Sequence, residues 1–249
     1  MRTPRLFCPS FRVGETHLDP AETRHVEGSL RLREGDEVEL FDGAGAIGLG
    51  RLRIATGRPA PAAPRNSKRS PLIVAVEQVR TEDRPCESLR LIVSACKRDR
   101  LEWMIEKGTE LGVGHFILTR FARSVVDPGA SRVEKLRRVA IEACKQCRRT
   151  WLPEIATAES TEQALSRCRD AAVAVAHPEP SAGTLTEWLA NPARGAGHVA
   201  IVIGPEGGFA PEELSRIEAT GAALVRLARP ILRVETAAIA AAAQWASVR

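Results

Sequence analysis

No stretch of this chain approaches the ~20 consecutive apolar residues that a membrane-crossing helix needs, so no membrane partner is expected. The start, Met1-Arg2-Thr3-Pro4-Arg5, lacks the apolar run of a secretory signal, which makes the cytoplasm the expected address. Cysteine is scarce and irregularly placed: six residues in 249 do not form the framework of a small disulfide-rich domain, and they are expected as reduced thiols in partly buried positions. His25, His115, His177 and His198 are scattered without a ligand spacing, so no metal is expected. There is no internal repeat of the solenoid kind. What remains is a chain that is 44% hydrophobic and long enough for one large domain or two unequal ones.

The net charge of +5 is modest, but it is concentrated. Between residues 120 and 149, nine Lys or Arg stand against three acids, an electrostatic footprint for a polyanion such as RNA or DNA. A solvated basic helix face is the plainer explanation of that run taken alone. Up to about residue 79 the chain reads as short strands. Residues 37–41 and 49–54 alternate polar and apolar around the Asp42-Gly43 turn, which fits a small β-barrel or sandwich. Residues 57–70, rich in Pro, Ala and Arg, read as a long exposed loop before a strand at 72–79, and 81–88 as a polar linker.

From residue 89 the pattern becomes alternating strands and helices. Strands are expected at 89–95, 115–119, 172–176, 199–203 and 224–227. Leu101, Met104, Ile105 and Leu111 recur at helical spacing up to Gly112, a suitable C-terminal cap. Ser131 with Glu134 forms a capping-box pattern for a helix with Val133, Leu136, Ala140, Ala143 and Cys147 on one face and Arg132, Lys135, Arg138, Lys145 and Arg149 on the other. Further helices are expected near 211–219 and 237–245. The alternation implies a parallel α/β sheet with helices on both faces.

Two short motifs match known patterns only in letters. The run Gly43-Ala44-Gly45-Ala46-Ile47-Gly48 resembles a dinucleotide fingerprint, but a strand follows it where a helix should, so it reads as a hairpin turn. Cys144-Lys145-Gln146-Cys147 has no second Cys/His pair and lies in an expected helix. More discriminating are Ile203-Gly204-Pro205-Glu206-Gly207-Gly208-Phe209 and Leu227-Ala228-Arg229-Pro230-Ile231-Leu232-Arg233-Val234-Glu235-Thr236-Ala237. Each interrupts a strand-to-helix passage, and two such loops in one sheet suggest one shared ligand site. Gly207 and Gly208 bare the backbone to a flat ligand, while Pro211, Glu212 and Glu213 fill the next helix start with acidic groups that repel phosphate. S-adenosylmethionine fits, with an adenosine, a cationic sulfonium and no phosphate. Ile231 and Leu232 can wall an adenine, Arg233 and Glu235 place opposite charges at a strand end, and Thr236 can cap the alanine-rich last helix.

The order Lys107-Gly108-Thr109-Glu110-Leu111-Gly112-Val113, Glu142-Ala143-Cys144-Lys145-Gln146-Cys147-Arg148-Arg149 and then the two loops resembles the bacterial 16S rRNA uracil-N3 methyltransferases of the SPOUT superfamily. Leu30-Arg31-Leu32-Arg33-Glu34-Gly35-Asp36 and Phe41-Asp42-Gly43-Ala44-Gly45 are similar to that family as well, so the resemblance runs nearly the whole length. It implies a PUA-like RNA-binding barrel over 1–80, an α/β domain with a deep trefoil knot over 81–249, and a homodimer acting on 16S rRNA or the small ribosomal subunit. It also implies S-adenosylmethionine contacts from His177, Ile203, Gly204, Pro205, Glu206, Gly207, Gly208, Leu227, Ile231, Leu232, Arg233 and Thr236. Arg233 is expected to stabilise charge on the uracil, with Glu206 or Glu235 as the base. RNA contacts are expected from Arg24, Arg31, Arg33, Arg138, Lys145, Gln146, Arg148 and Arg149. The family commonly has Gly where Ala228 stands, with the order of Arg229-Pro230 inverted; Ala fits there if its φ is negative. Methylation of a ribose 2′-hydroxyl or a tRNA base by a related enzyme, and a non-catalytic RNA-binding assembly factor, are the competing readings.

Overall fold

The structure is a computed structural model that describes residues 3–54, 72–86, 88–127, 129, 132–179, 181–191 and 197–248. The expected loop at 57–70 and the capping residue Ser131 lie outside the described residues. The chain divides into two compact units, Met1–Arg84 with Cys144–Trp151, and Pro85–Ala143 with Leu152–Arg249.

In the first unit, β1 (Arg5–Phe7), β2 (Gly14–His17), β3 (Glu37–Phe41), β4 (Ala46–Ile54) and β5 (Leu72–Thr81) form one sheet in the order β1-β3-β4-β5-β2. β1 pairs parallel with β3, and the other pairings are antiparallel. Leu6, Val38, Leu40, Leu52, Val74 and Val76 make its core, with Val26 from the helical segment after α1 (Pro20–His25). The Gly43–Gly48 run is a hairpin turn, as expected: Asp42 Oδ1 accepts from the amides of Ala44 and Ala46 at 2.7 and 3.0 Å. β5 continues to Thr81, so the expected linker begins one residue later.

The segment Cys144–Trp151 is held in this unit by buried polar contacts. Arg5, 5% exposed, lies over the Phe41 ring at 4.5 Å, pairs with Glu39 at 2.9 Å and donates to Thr150 Oγ1 at 3.1 Å. Arg148 also reaches Glu39, at 3.3 Å, and donates to the Thr3 carbonyl. Lys145 pairs with Glu22, both side chains almost wholly buried. Trp151 Nε1 donates to the carbonyls of Glu82 and Asp83, each at 3.1 Å. Buried charges persist only when paired, so losing one member of the Arg5–Glu39 or Lys145–Glu22 pair strands the other.

In the second unit, β6 (Leu89–Ser94), β7 (Val113–Thr119), β8 (Glu154–Ala158), β9 (Ala171–Ala176), β10 (Gly183–Thr184), β11 (His198–Ile203) and β12 (Ala223–Arg226) form an all-parallel sheet. Its order is β10-β12-β9-β11-β6-β7-β8. The near-continuous apolar runs of β6 and β11 need burial on both faces. On one face, α2 (Arg98–Glu110), α3 (Val133–Cys147), α5 (Leu185–Ala190) and α7 (Val234–Ser247) cover Leu89, Leu91, Val93, Val199, Ile201 and Ile203. On the other, α4 (Thr161–Ser166) and α6 (Pro211–Glu218) cover Ile92, Ile117, Val175, Ala200 and Val202. Gly108 lets α2 approach β7, because a Cβ there would meet the Phe116 ring at 2.7 Å. Gly112, with φ +90°, ends that helix region as expected. All six cysteines are free.

At the amino ends of these strands, Arg90 makes a two-armed bond to Asp170, with Nη2 2.7 Å from Oδ2. Hydrogen bonding from Arg90 holds the Asp170 carboxyl down at about 2, below its ordinary 3.8. A carboxyl so depressed stabilises the fold above its ordinary value and loses that contribution as pH falls through about 2. The difference in urea midpoint between wild type and Asp170→Asn is therefore expected to be present at pH 5 and to shrink steadily toward pH 2. It should be small throughout, because the Asp170 side chain is 60% exposed and solvent screens the pair.

Candidate cofactor site

The carboxyl ends of β9, β11 and β12 lie side by side. Ile203 pairs with Ala176, and Ala176 pairs with Val225, so the chain leaves three adjacent strands at nearly one level. The loops that follow enclose a cavity of about 340 Å³. His177 comes from the end of β9, the run Gly204–Phe209 from the end of β11, and Leu227, Ala228, Pro230, Ile231 and Leu232 from the end of β12, with Ala237 of α7 behind them. Both sequence-predicted loops therefore line one cavity.

The geometry of each loop has local causes. Gly204 must lack a side chain, because a Cβ would meet the Phe209 ring at 2.8 Å. That ring turns inward to pack edge-on against Phe121, centroids 5.5 Å apart. Gly208 has φ +70°, and its amide donates to the Pro205 carbonyl at 2.9 Å, closing a turn that suits glycine. Arg123 Nη1 donates to the Gly207 carbonyl at 3.1 Å. The second loop is pinned by Gln244 of α7, whose Nε2 donates to the Leu227 carbonyl at 3.0 Å. Among the described non-glycine residues only Arg31 and Arg148 have positive φ, so Ala228 is accommodated without strain.

The two carboxylates at the start of α6 differ in role. Glu212 is exposed. Glu213 is buried, and its Oε1 accepts from Thr161 Oγ1 at 2.7 Å and from the Ala122 amide at 3.3 Å. Glu213 thus ties α6 to the β7–α3 connection and to α4. With Pro211 supplying no amide donor at the first helical position, this helix start offers no welcome to phosphate.

Several expected residues fall elsewhere. α7 starts at Val234 with Arg233 as its N-cap residue, so Thr236 lies inside the first turn and does not cap the helix. Neither Arg233 nor Thr236 lines the cavity, and both are exposed. Ile231 lines it but is 87% exposed, a rim residue more than a wall. Glu235, 5% exposed, sits in the first turn of α7, with its Oε1 3.5 Å from Arg100 Nε. Glu206 is exposed on the glycine loop, its Oε1 3.3 Å from Arg100 Nη1. Burial, and then the charge of Glu235, pushes the Cys96 thiol up to about 11, so it is neutral at physiological pH.

The expected basic face of α3 is not continuous. Arg138 is exposed, but Lys135 pairs with Glu102, Lys145 with Glu22, and Arg149 lies beyond the helix end, half-buried, with burial lowering its pKa. The Cys144 thiol hydrogen-bonds with Cys147 and is buried, both of which raise its pKa; this supports the structural reading of that pair. Arg24, Arg31, Arg33 and Gln146 are exposed. Sequence reasoning missed Arg100, Arg123 and Gln244. The latter two act on backbone carbonyls, and Arg100 bridges carboxylates more than 100 positions away, so no local pattern marks any of them.

A family model for an RNA methyltransferase domain matches residues 82–246. The chain is similar to a ribosomal RNA small subunit methyltransferase E from Mycobacterium bovis, 33% identical over 90% of this chain and 83% of that protein. It is also similar to the protein of that name from Bacillus subtilis, at 30% identity over 92% and 87%. A solved ribosomal RNA small subunit methyltransferase E from Neisseria gonorrhoeae, bound to S-adenosyl methionine, superimposes with a TM-score of 0.83 at 25% identity, covering 99% of this chain and 98% of that one.

The contrast between the two acids of α6 is testable by denaturant titration. Glu213→Ala leaves the Thr161 hydroxyl and the Ala122 amide without an acceptor and is expected to cost about 2–3 kcal/mol. Glu212→Ala is expected to change stability by less than about 0.5 kcal/mol.

Proposed function

The chain belongs to the RNA methyltransferase family that includes ribosomal RNA small subunit methyltransferase E, and we propose that it transfers the methyl group of S-adenosylmethionine to N3 of a uridine in 16S rRNA. The observation that carries this reading is the cavity of about 340 Å³ in which both strand-end loops meet. Its chemistry fits that cofactor. Leu227, Leu232, Val234 and Ala237 offer apolar surface for an adenine, and the glycine loop offers bare backbone donors and acceptors. The acidic start of α6 disfavours a polyphosphate and tolerates a cation. His177, Ile203, Gly204, Pro205, Glu206, Gly207 and Gly208 complete the holding set. The bound cofactor supplies an electrophilic methyl group on a positively charged sulfur.

Uracil N3 is a poor nucleophile until it loses its proton, so the chain must accept a proton and stabilise the charge that spreads to the neighbouring carbonyl oxygens. Glu235, buried beside Arg100, is better suited as the acceptor than Glu206, which is exposed to water. Arg233, exposed where the second loop meets α7, is positioned to meet an incoming base and supply the balancing charge. Arg24, Arg31, Arg33, Arg138 and Gln146 are the proposed RNA contacts, whereas Lys145 and Arg148 are engaged in ion pairs of the first unit and Arg149 is half-buried.

Family membership supports the finer architecture as well: a PUA-like barrel over 1–80 and a SPOUT domain with a trefoil knot over 81–249. The antiparallel run β3-β4-β5-β2 suits the former. The return of the last helix, α7, onto α2 and β6 suits a chain end threaded through the fold. A homodimer with the site near its interface, implied by the same resemblance, is part of this proposal. Among the described residues no helix is long and apolar enough to cross a membrane, and the proposed working place is the cytoplasm on the small ribosomal subunit.

Two measurements test this reading. Nucleoside mass spectrometry of small-subunit rRNA is expected to lose 3-methyluridine when the gene is deleted and regain it on complementation; an unchanged level refutes the assignment. Binding of 16S rRNA fragments should weaken with salt at a log–log slope of about −0.7 per phosphate neutralised, and the Arg31→Ala/Arg33→Ala double variant should reduce that slope by about 1–1.5.

A further inference from the structure

Arg100 stands in the first turn of α2 and reaches carboxylates from two other parts of the second unit. Its Nη1 lies 3.3 Å from Glu206 Oε1 on the glycine loop, and its Nε 3.5 Å from Glu235 Oε1 in the first turn of α7. Glu235 is 5% exposed, and its Oε2, fully buried, has no hydrogen-bond partner among the described residues. A carboxylate oxygen left in that state is costly and calls for an explanation. Glu235 does not itself line the cavity, but Val234 and Ala237 on either side of it do, so its carboxylate lies next to the space a ligand fills.

The surroundings leave Arg100 as the balancing cation. Cys96, on the approach to α2, faces Glu235 as a neutral thiol, and Glu206 adds negative charge from the loop. β6, β11 and α5 turn apolar residues toward α7, among them Leu91, Val93, Ile201 and Leu189. Arg98 at the start of α2 and Lys135 of α3 are both occupied by Glu102. Arg233 occupies the N-cap position of α7 by its backbone alone, and its side chain is exposed. A guanidinium suits this place because its planar fork can serve two acceptors at once, which a single ammonium cannot do with the same geometry.

We propose that Arg100 is a positioning residue for methyl transfer: it ties the glycine loop to the first turn of α7 and holds Glu235 ready, with one oxygen free, to take the proton from the target base. The inference rests on the function proposed above. In that reaction the N3 proton passes to the Glu235 carboxylate, and the N3 electron pair forms the new bond to the methyl carbon. The bond from that carbon to sulfur breaks with its electrons left on a neutral thioether, and the carboxylate later returns its proton to water.

The test uses the full-length purified chain, S-adenosylmethionine labelled in the methyl group, and 16S rRNA or small subunits lacking the modification. Cofactor Kd is measured separately by calorimetry. Arg100→Gln is expected to lower kcat by about 10- to 100-fold while changing the cofactor Kd by less than about threefold. Arg100→Lys, which keeps the charge but not the planar fork, should restore only part of kcat. Unchanged kcat in Arg100→Gln, or a loss explained wholly by weaker cofactor binding, overturns the proposal. Should Arg100→Gln fail to fold, Arg100→Lys decides: a several-fold fall in kcat at unchanged Kd supports the role, and wild-type kcat overturns it. A wild-type chain that binds the cofactor but transfers no methyl group to either RNA substrate refutes the functional reading and this assignment with it, an outcome distinct from a silent Arg100 variant of an active enzyme.

Discussion

Parallel, in-register pairing of β9, β11 and β12 is the constraint on which the candidate site depends. Strands lie about 4.8 Å apart in the hydrogen-bonding direction, so Ala176, Ile203 and Val225 deliver three loops to one edge of the sheet within roughly 10 Å. Residues 177, 204–209 and 227–232 are distant in sequence and become neighbours only through that register. The helices then fix what the loops can do. α7 backs the cavity with Ala237 and holds the Leu227 carbonyl through Gln244, while α6 turns its acidic start to the glycine loop. Slipping one strand by a residue would exchange its buried faces and dismantle the site together with the core.

Charge is used differently in the two units. In the first, Arg5, Lys145 and Arg148 meet Glu22 and Glu39 in low-exposure pairs that fasten the Cys144–Trp151 segment to the sheet. Such pairs contribute little net stability over an apolar packing but tolerate no partial loss, since removing one member strands the other. In the second unit, Arg100, Arg123 and Glu213 fasten the glycine loop and its flanks. The first arrangement has no unassigned purpose beyond architecture. The second lies around a cavity and, among the described residues, leaves one buried oxygen each of Glu213 and Glu235 without a hydrogen-bond partner.

Local patterns revealed much of this protein. Apolar runs of strand length located β6, β7, β9, β11 and β12 to within a residue or two, because a parallel strand buried on both faces must be apolar throughout. Helical periodicity located α2, α6 and the body of α7, and interrupted strand-to-helix passages, glycine-rich in the first and proline-bearing in the second, located the two loops. Elements with weak patterns went unseen: β8 is a half-buried edge strand, β10 has two residues, and α4 and α5 are too short for periodicity to register. The start of α7 was misplaced because an N-cap is a backbone conformation; Arg233, a poor capping residue, takes it while Thr236 does not.

By itself the sequence determined the α/β class, the two strand-end loops, the acidic start of α6 and the kinship with rRNA methyltransferases, since each depends on residue type at short spacing. Tertiary structure alone decided which charges are free. Lys145, Arg148 and Arg149 look like an RNA grip in one dimension, but their surroundings come from residues up to 145 positions away. Arg100 looks like an ordinary helix residue until the fold places Glu206 and Glu235 against it. The physical reason is the same in both cases: exposure and electrostatic partnership are properties of position in space, and no local sequence pattern encodes them.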